Sequence, residues 1–69
     1  MMYLELKAAI IQWLIDHQST WQRVNECHKE FRQYIYDENG NYIIGGKCVS
    51  DFIEKADKLL YSDQVIYGA

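Results

Sequence analysis

The chain has 69 residues, a net charge of −3 and an apolar content of 49%, with aromatic side chains at 14%. This length makes one small domain, which buries only about 60% of the surface that its unfolded form exposes. We therefore expect a disulfide, a metal or association to add stability. The apolar content excludes a disordered chain. The negative charge makes the chain a poor candidate for nucleic-acid binding, which depends on neutralising phosphates.

The N-terminal residues do not have the pattern of a secretory signal, because Glu5, Lys7 and Gln12 interrupt the apolar run and no basic region precedes it. No stretch approaches the roughly 18 apolar residues of a membrane span. We therefore expect a cytoplasmic protein in which Cys27 and Cys48 are free, at least partly buried thiols. Association is then the remaining source of extra stability.

The first predicted helix, from Tyr3 to His17, carries a wide apolar surface. One apolar face is formed by Leu6, Ile10 and Trp13. A second is formed by Leu4, Ile11, Leu14 and Ile15. A surface helix needs an apolar stripe of about 100°, and this surface is roughly twice as wide. Either the helix is enclosed within its own fold or the second face binds a partner.

Two further helices are predicted from apolar residues spaced three and four apart. The second runs from about Thr20 to Gln33, and either a capping box of Ser19 and Gln22 or Thr20 itself caps it. The third runs from about Lys47 to Tyr61. Residues 62–69 either add a strand or fray.

A β-hairpin is predicted between the second and third helices. Two β-branched and aromatic runs, 34–36 and 42–44, flank a turn-forming segment that contains Asn39 and Gly40. A four-residue turn pairs Tyr36 with Tyr42, whereas a two-residue turn pairs Tyr36 with Ile43. The sequence leaves both registers open.

Together these elements predict a single α+β domain over residues 1–69, ordered helix, helix, β-hairpin, helix, with the hairpin packed on the helices. The predicted core comprises Leu6, Ile10, Trp13, Val24, Phe31, Val49, Phe52, Ile53, Ala56 and Leu60. In order and size this domain resembles the general plan of small phage head-completion and host-takeover proteins. No motif is shared, so the resemblance assigns no residue a role.

No metal or cofactor site is predicted. Asp37, Asn39 and Asn41 match the first positions of a calcium loop, but Tyr42 stands where its glycine is required and Cys48 where its glutamate is required. The soft ligands His17, Cys27, His28 and Cys48 do not have the paired spacing of a zinc site. The Gly45-Gly46-Lys47 segment does not have the glycine spacing of a phosphate-binding loop and reads as a hinge.

No catalytic residue or small-molecule substrate is predicted either. Cys27 and His28 are neighbours on a helix and point about 100° apart, so they cannot share a proton well. No serine lies in a nucleophile-elbow motif. So small a chain also encloses a ligand pocket of several hundred Å³ only with difficulty.

The function predicted from the sequence is a non-enzymatic protein-binding module, a regulator, inhibitor or assembly factor of phage or mobile-element type. Its partner is another protein or a second copy, with a homodimer as the expected state. The expected contact residues are Leu4, Ile11, Leu14, Ile15, Tyr34, Tyr36 and Tyr42. Tyrosine is common at binding hot spots, but it is equally a good strand residue.

The alternative function is a winged-helix-like DNA-binding regulator. Arg23, Lys29 and Arg32 would form its basic row, and the hairpin would act as the wing. Glu26 and Glu30 interrupt that row, which favours the protein-binding interpretation.

Overall fold

The computed structural model describes the backbone of residues 2–68 and the side chains of residues 2–61. It contains three α-helices, α1 (Tyr3–Asp16), α2 (Arg23–Glu30) and α3 (Gly46–Gly68), with a 3₁₀ turn at Arg32–Tyr34. Each helix contacts the other two. The short α2 therefore joins the two long helices at their common face, and the core lies between the three.

The buried side of α1 follows one line along the helix, because Leu6, Ile10 and Leu14 are four residues apart and all are buried. Leu14 has no exposed surface, so its predicted place on the second apolar face, with Ile11, is wrong. Trp13 lies at the edge of the core and is only partly buried. Its ring stacks on His17 with the ring centres 3.8 Å apart.

The predicted α+β fold class and β-hairpin are wrong. Within the described residues, strand pairing is limited to one antiparallel bridge between Tyr36 and Tyr42. The chain does reverse at the expected place, where the Gly40 N–H donates to the Asp37 carbonyl and Gly40 adopts a φ of 84°. The resemblance to phage proteins depended on the hairpin and loses its basis with it.

Local turns replace the strands. The N–H of Tyr36 donates to the carbonyl of Arg32, and the N–H of Gly46 donates to that of Ile43, so a turn begins or ends within each candidate strand. Ile35 is fully buried and its carbonyl accepts from the Ile43 N–H. An isolated two-stranded hairpin is only marginally stable. Burial of the Ile35 side chain next to the start of α3 stabilises the turn conformation more than the hairpin hydrogen bonds would stabilise strands.

Helix α2 begins three residues later than predicted. Gln22 has a left-handed φ of 53°, and neither it nor Ser19 provides a side-chain cap. Trp21, which falls inside the predicted helix, lies in the turn before α2 with 84% of its surface exposed. At the other end, the predicted helix to Gln33 tightens into the 3₁₀ turn.

Most of the predicted core is confirmed. Leu6, Ile10, Phe31, Val49, Ile53 and Ala56 are buried, and Trp13, Val24 and Phe52 pack against them. Leu14 and Ile35 belong to the core but were not predicted there, and Leu60 lies largely outside it. Helix α3 continues to Gly68 with a kink at Tyr61, where the sequence leaves a strand or a frayed end open. The side chains of residues 62–69 lie outside the described part.

The two cysteines differ in environment. Cys27 is buried, and that burial raises the pKa of its thiol to about 12. Cys48 is free and exposed, where partial burial is expected from the sequence. None of the helices that the structure describes is long and apolar enough to cross a membrane.

Candidate protein-docking surface

Helix α1 carries an exposed apolar stripe between its buried side and a polar edge formed by Glu5, Gln12 and Asp16. Leu4, Ile11 and Ile15 are exposed, and Ala8 completes the i, i+4, i+7, i+11 spacing between them. This is the alternating four- and three-residue spacing with which a helix contacts another helix along a seam. Leu4 has 76% of its surface exposed, which is more than packing within this fold explains.

The stripe of α1 borders a groove between α1 and α3. The groove has a volume of about 350 Å³. Its walls are formed by Lys7 and Ile11 from α1 and by Phe52, Lys55, Ala56, Leu59 and Leu60 from α3. Leu59 has 72% of its surface exposed. Ala56 is the last buried residue of the described α3 side chains, so the apolar stripe of this helix runs on beyond the core.

Lys7 lines the groove, and among the described side chains its contacts are with aromatic rings. Its ammonium group is 4.5 Å from the ring centre of Tyr3 and 5.4 Å from that of Phe52, within the range of cation–π attraction. This contact explains how a lysine is accommodated on the apolar side of α1. Lys7 therefore adds a positive charge to an apolar wall.

Lys55 adds a second positive charge on the opposite wall. Asp51 precedes Lys55 by one helical turn, but its carboxylate lies 3.5 Å from the ammonium of Lys47, one turn in the other direction. Among the side chains of residues 2–61, neither Lys7 nor Lys55 forms an ion pair. The groove is thus apolar at its base and positive at both edges.

The three tyrosines predicted as contact residues do not line the groove. Tyr34 is partly buried against the core and packs near Phe31, with ring centres 6.4 Å apart. Tyr36 and Tyr42 stack on each other with their ring centres 5.1 Å apart, and the polar interaction with the Tyr42 side chain raises the pKa of Tyr36. These rings hold the chain reversal together, so we assign them a structural role.

A polar cleft of about 490 Å³ lies between α2, the chain reversal and α3. In it, the Ser50 hydroxyl is 3.4 Å from Nδ1 of His28, a long hydrogen bond. Ser50 itself is buried at the first turns of α3. A serine nucleophile needs an exposed hydroxyl and a base held by a third group. This pair instead joins α2 to α3.

The α3 side of the groove could not be recognised from the sequence. Leu59 and Leu60 continue the same apolar spacing as Val49 and Ile53, and the sequence therefore places Leu60 in the predicted core. Their exposure depends on how α3 packs against α1, and the local sequence pattern contains no signal for that packing. No protein-family model matches this chain, and no curated protein or solved structure matches it significantly.

Proposed function

We propose that this protein is a non-enzymatic binding module that takes a protein partner on one apolar surface. That surface, here called the α1–α3 surface, consists of Leu4, Ile11 and Ile15 of α1 with Phe52, Leu59 and Leu60 of α3. The observation that supports the proposal is the exposure of large apolar side chains from two helices around one groove. Contiguous apolar patches on a small protein mark interaction sites.

Energetic reasoning favours a protein partner for this surface. Burying apolar area stabilises a complex by about 25 cal/mol per Å², before the costs of association are subtracted. The surface also has the composition of an interface, since an apolar centre is bordered by polar groups at the rim. A second copy of the chain and a different protein both satisfy this description.

DNA binding is not favoured by the same structure. The predicted wing does not form, because the hairpin is reduced to one bridge. Arg23, the first residue of the predicted basic row, is paired with Asp57 and stacks on Tyr61. A guanidinium held in this way is not free to contact a phosphate.

The proposal is tested by selecting binding peptides from a displayed random library against the folded protein. We expect enriched peptides that bind the wild type and the Ile44→Asp variant but not the Leu59→Asp variant. Ile44 is a matched control, because it is fully exposed and does not line the groove. Circular dichroism establishes that both variants fold.

Selection that yields no binders, or binders unaffected by both Leu59→Asp and Ile11→Asp, would contradict the proposal. Two variants are used because Ile11 is less exposed than Leu59 and contributes from the opposite helix. Loss of binding in both places the contact on the two walls of the groove together.

A further inference from the structure

Resting on the proposed function, we infer that the groove takes one amphipathic helix that carries acidic side chains beside its apolar stripe. The occupant is thus a segment of a different protein and is defined by two properties. It presents apolar anchors at helical spacing to the α1–α3 surface. It also presents carboxylates to Lys7 and Lys55.

The positive charge of the groove favours a partner with carboxylates. The chain as a whole has a charge of −3, yet its groove holds two lysines and no carboxylate among its lining residues. Neither lysine is neutralised by an acid among the described side chains. Next to apolar walls, an ion pair is less screened than in open water, so a carboxylate is attracted there and a second cation is repelled.

The arrangement of α1 and α3 favours a helical partner. Lys7 lies beside Phe52, and the Tyr61 hydroxyl donates to the Leu14 carbonyl at 2.9 Å, so α1 and α3 run in the same direction. The exposed stripe from Leu4 to Ile15 is about 17 Å long at 1.5 Å per residue. A third helix of about three turns matches this length and lies along two adjacent helices, which is a recurring mode of peptide recognition.

A second copy of the chain fits less well than a foreign helix. Its own exposed stripe on α1 is bordered by Lys7 on the side that faces α3. A two-fold axis that sets α1 antiparallel to its copy brings these lysine-bearing sides together, and like charges destabilise the contact. An acidic helix meets no such repulsion.

Two synthetic peptides test the inference by fluorescence anisotropy. Both have 16 residues and leucines at the i, i+4, i+7 and i+11 positions, but one has glutamates beside the leucines and the other has lysines. We expect the glutamate peptide to bind at least tenfold more tightly than the lysine peptide, and less tightly as salt is raised.

Charge-reversed variants provide the matched control. The double variant Lys7→Glu, Lys55→Glu is expected to bind the glutamate peptide more weakly and the lysine peptide more tightly than the wild type does. The double variant Lys29→Glu, Lys47→Glu changes the net charge by the same amount at lysines outside the groove. We expect it to bind the glutamate peptide more tightly than the lysine peptide, as the wild type does. Circular dichroism of both variants establishes that they fold.

Each result has one meaning. Preference for glutamate that disappears only in the Lys7, Lys55 variant supports the inference. Equal binding of both peptides overturns it and leaves the proposed function in place, because the groove still binds. If neither peptide binds, the inference is overturned. It is also overturned if light scattering shows a stable dimer that the Leu59→Asp substitution dissociates. The proposed function itself is tested separately, by the library selection and by the response of the selected binders to Leu59→Asp and Ile11→Asp.

Discussion

Two adjacent glycines begin α3 for different physical reasons. Gly45 has a φ of 81°, a left-handed conformation that costs a residue with a side chain about 1 kcal/mol. A methyl group there would meet open space. Gly46 has an ordinary φ, but a Cβ at this residue would overlap the carbonyl of Ile35. In the hinge expected from the sequence, Gly45 therefore allows a left-handed backbone conformation, and Gly46 allows the Ile35 carbonyl to approach closely.

The variants Gly45→Ala and Gly46→Ala separate these two causes. We expect Gly46→Ala to lower the free energy of unfolding by about 3 kcal/mol, because the buried Ile35 backbone must shift. Gly45→Ala is expected to cost only about 1 kcal/mol. Urea denaturation of both variants measures the difference, and equal losses would show that the contact with Ile35 is not tight.

The two thiols are expected to react at very different rates. Cys27 is buried and its pKa is raised to about 12, so at pH 8 it holds its proton and is shielded from reagent. Cys48 is exposed. A disulfide reagent should therefore titrate one thiol in the folded protein and two in denaturant, and Cys48→Ser should abolish the fast reaction. Two fast thiols in the folded state would place Cys27 at the surface.

At the scale of elements, a polar cluster joins the turn after α1 and the first residue of α2 to the middle of α3. The guanidinium of Arg23 donates to both carboxylate oxygens of Asp57, at 2.5 and 3.3 Å, and lies 4.1 Å from the ring centre of Tyr61. It also donates to the Gln18 carbonyl. Asp57 and burial compete to set the pKa of Arg23, and the hydrogen bond with Asp57 raises it.

Removing the charge of Asp57 should therefore destabilise the fold. We expect Asp57→Asn to cost about 2 kcal/mol, since Arg23 would stay largely enclosed without its charge partner. Asp51→Asn is the control, because its pair with Lys47 is exposed on both sides and should contribute less than about 0.5 kcal/mol. Thermal unfolding at neutral pH compares the two, and a similar small loss in both would mean that the cluster adds no stability.

The elements differ in how well their sequences predict them. Helices α1 and α3 follow from apolar periodicity, because their buried residues recur every three or four positions. The hairpin does not, although Tyr34, Ile35 and Tyr36 favour strands by type. Burial of Ile35 and the approach of Gly46 to its carbonyl are tertiary effects, and they hold this segment in turns. A local pattern contains no information about either.

At the scale of the whole molecule, the apolar surplus of the first helix is the feature that the sequence predicts best. Leu4, Ile11 and Ile15 lie exposed, as the second apolar face requires, and only Leu14 turns inward. The other wall of the groove could not be predicted, since it depends on how α3 packs against α1. Lys7 and Lys55 are 48 residues apart in the sequence, and only the fold brings them to one groove.

The most direct measurement is an amide chemical-shift map of the protein titrated with the glutamate-bearing peptide. We expect the largest changes at Ile11, Phe52, Leu59 and Leu60 and at the two lysines beside them, with residues around Tyr36 and Tyr42 unaffected. Changes centred on Tyr36 and Tyr42, or none at a peptide concentration of about 1 mM, where even a weak complex with a dissociation constant of that order would form, would contradict the account.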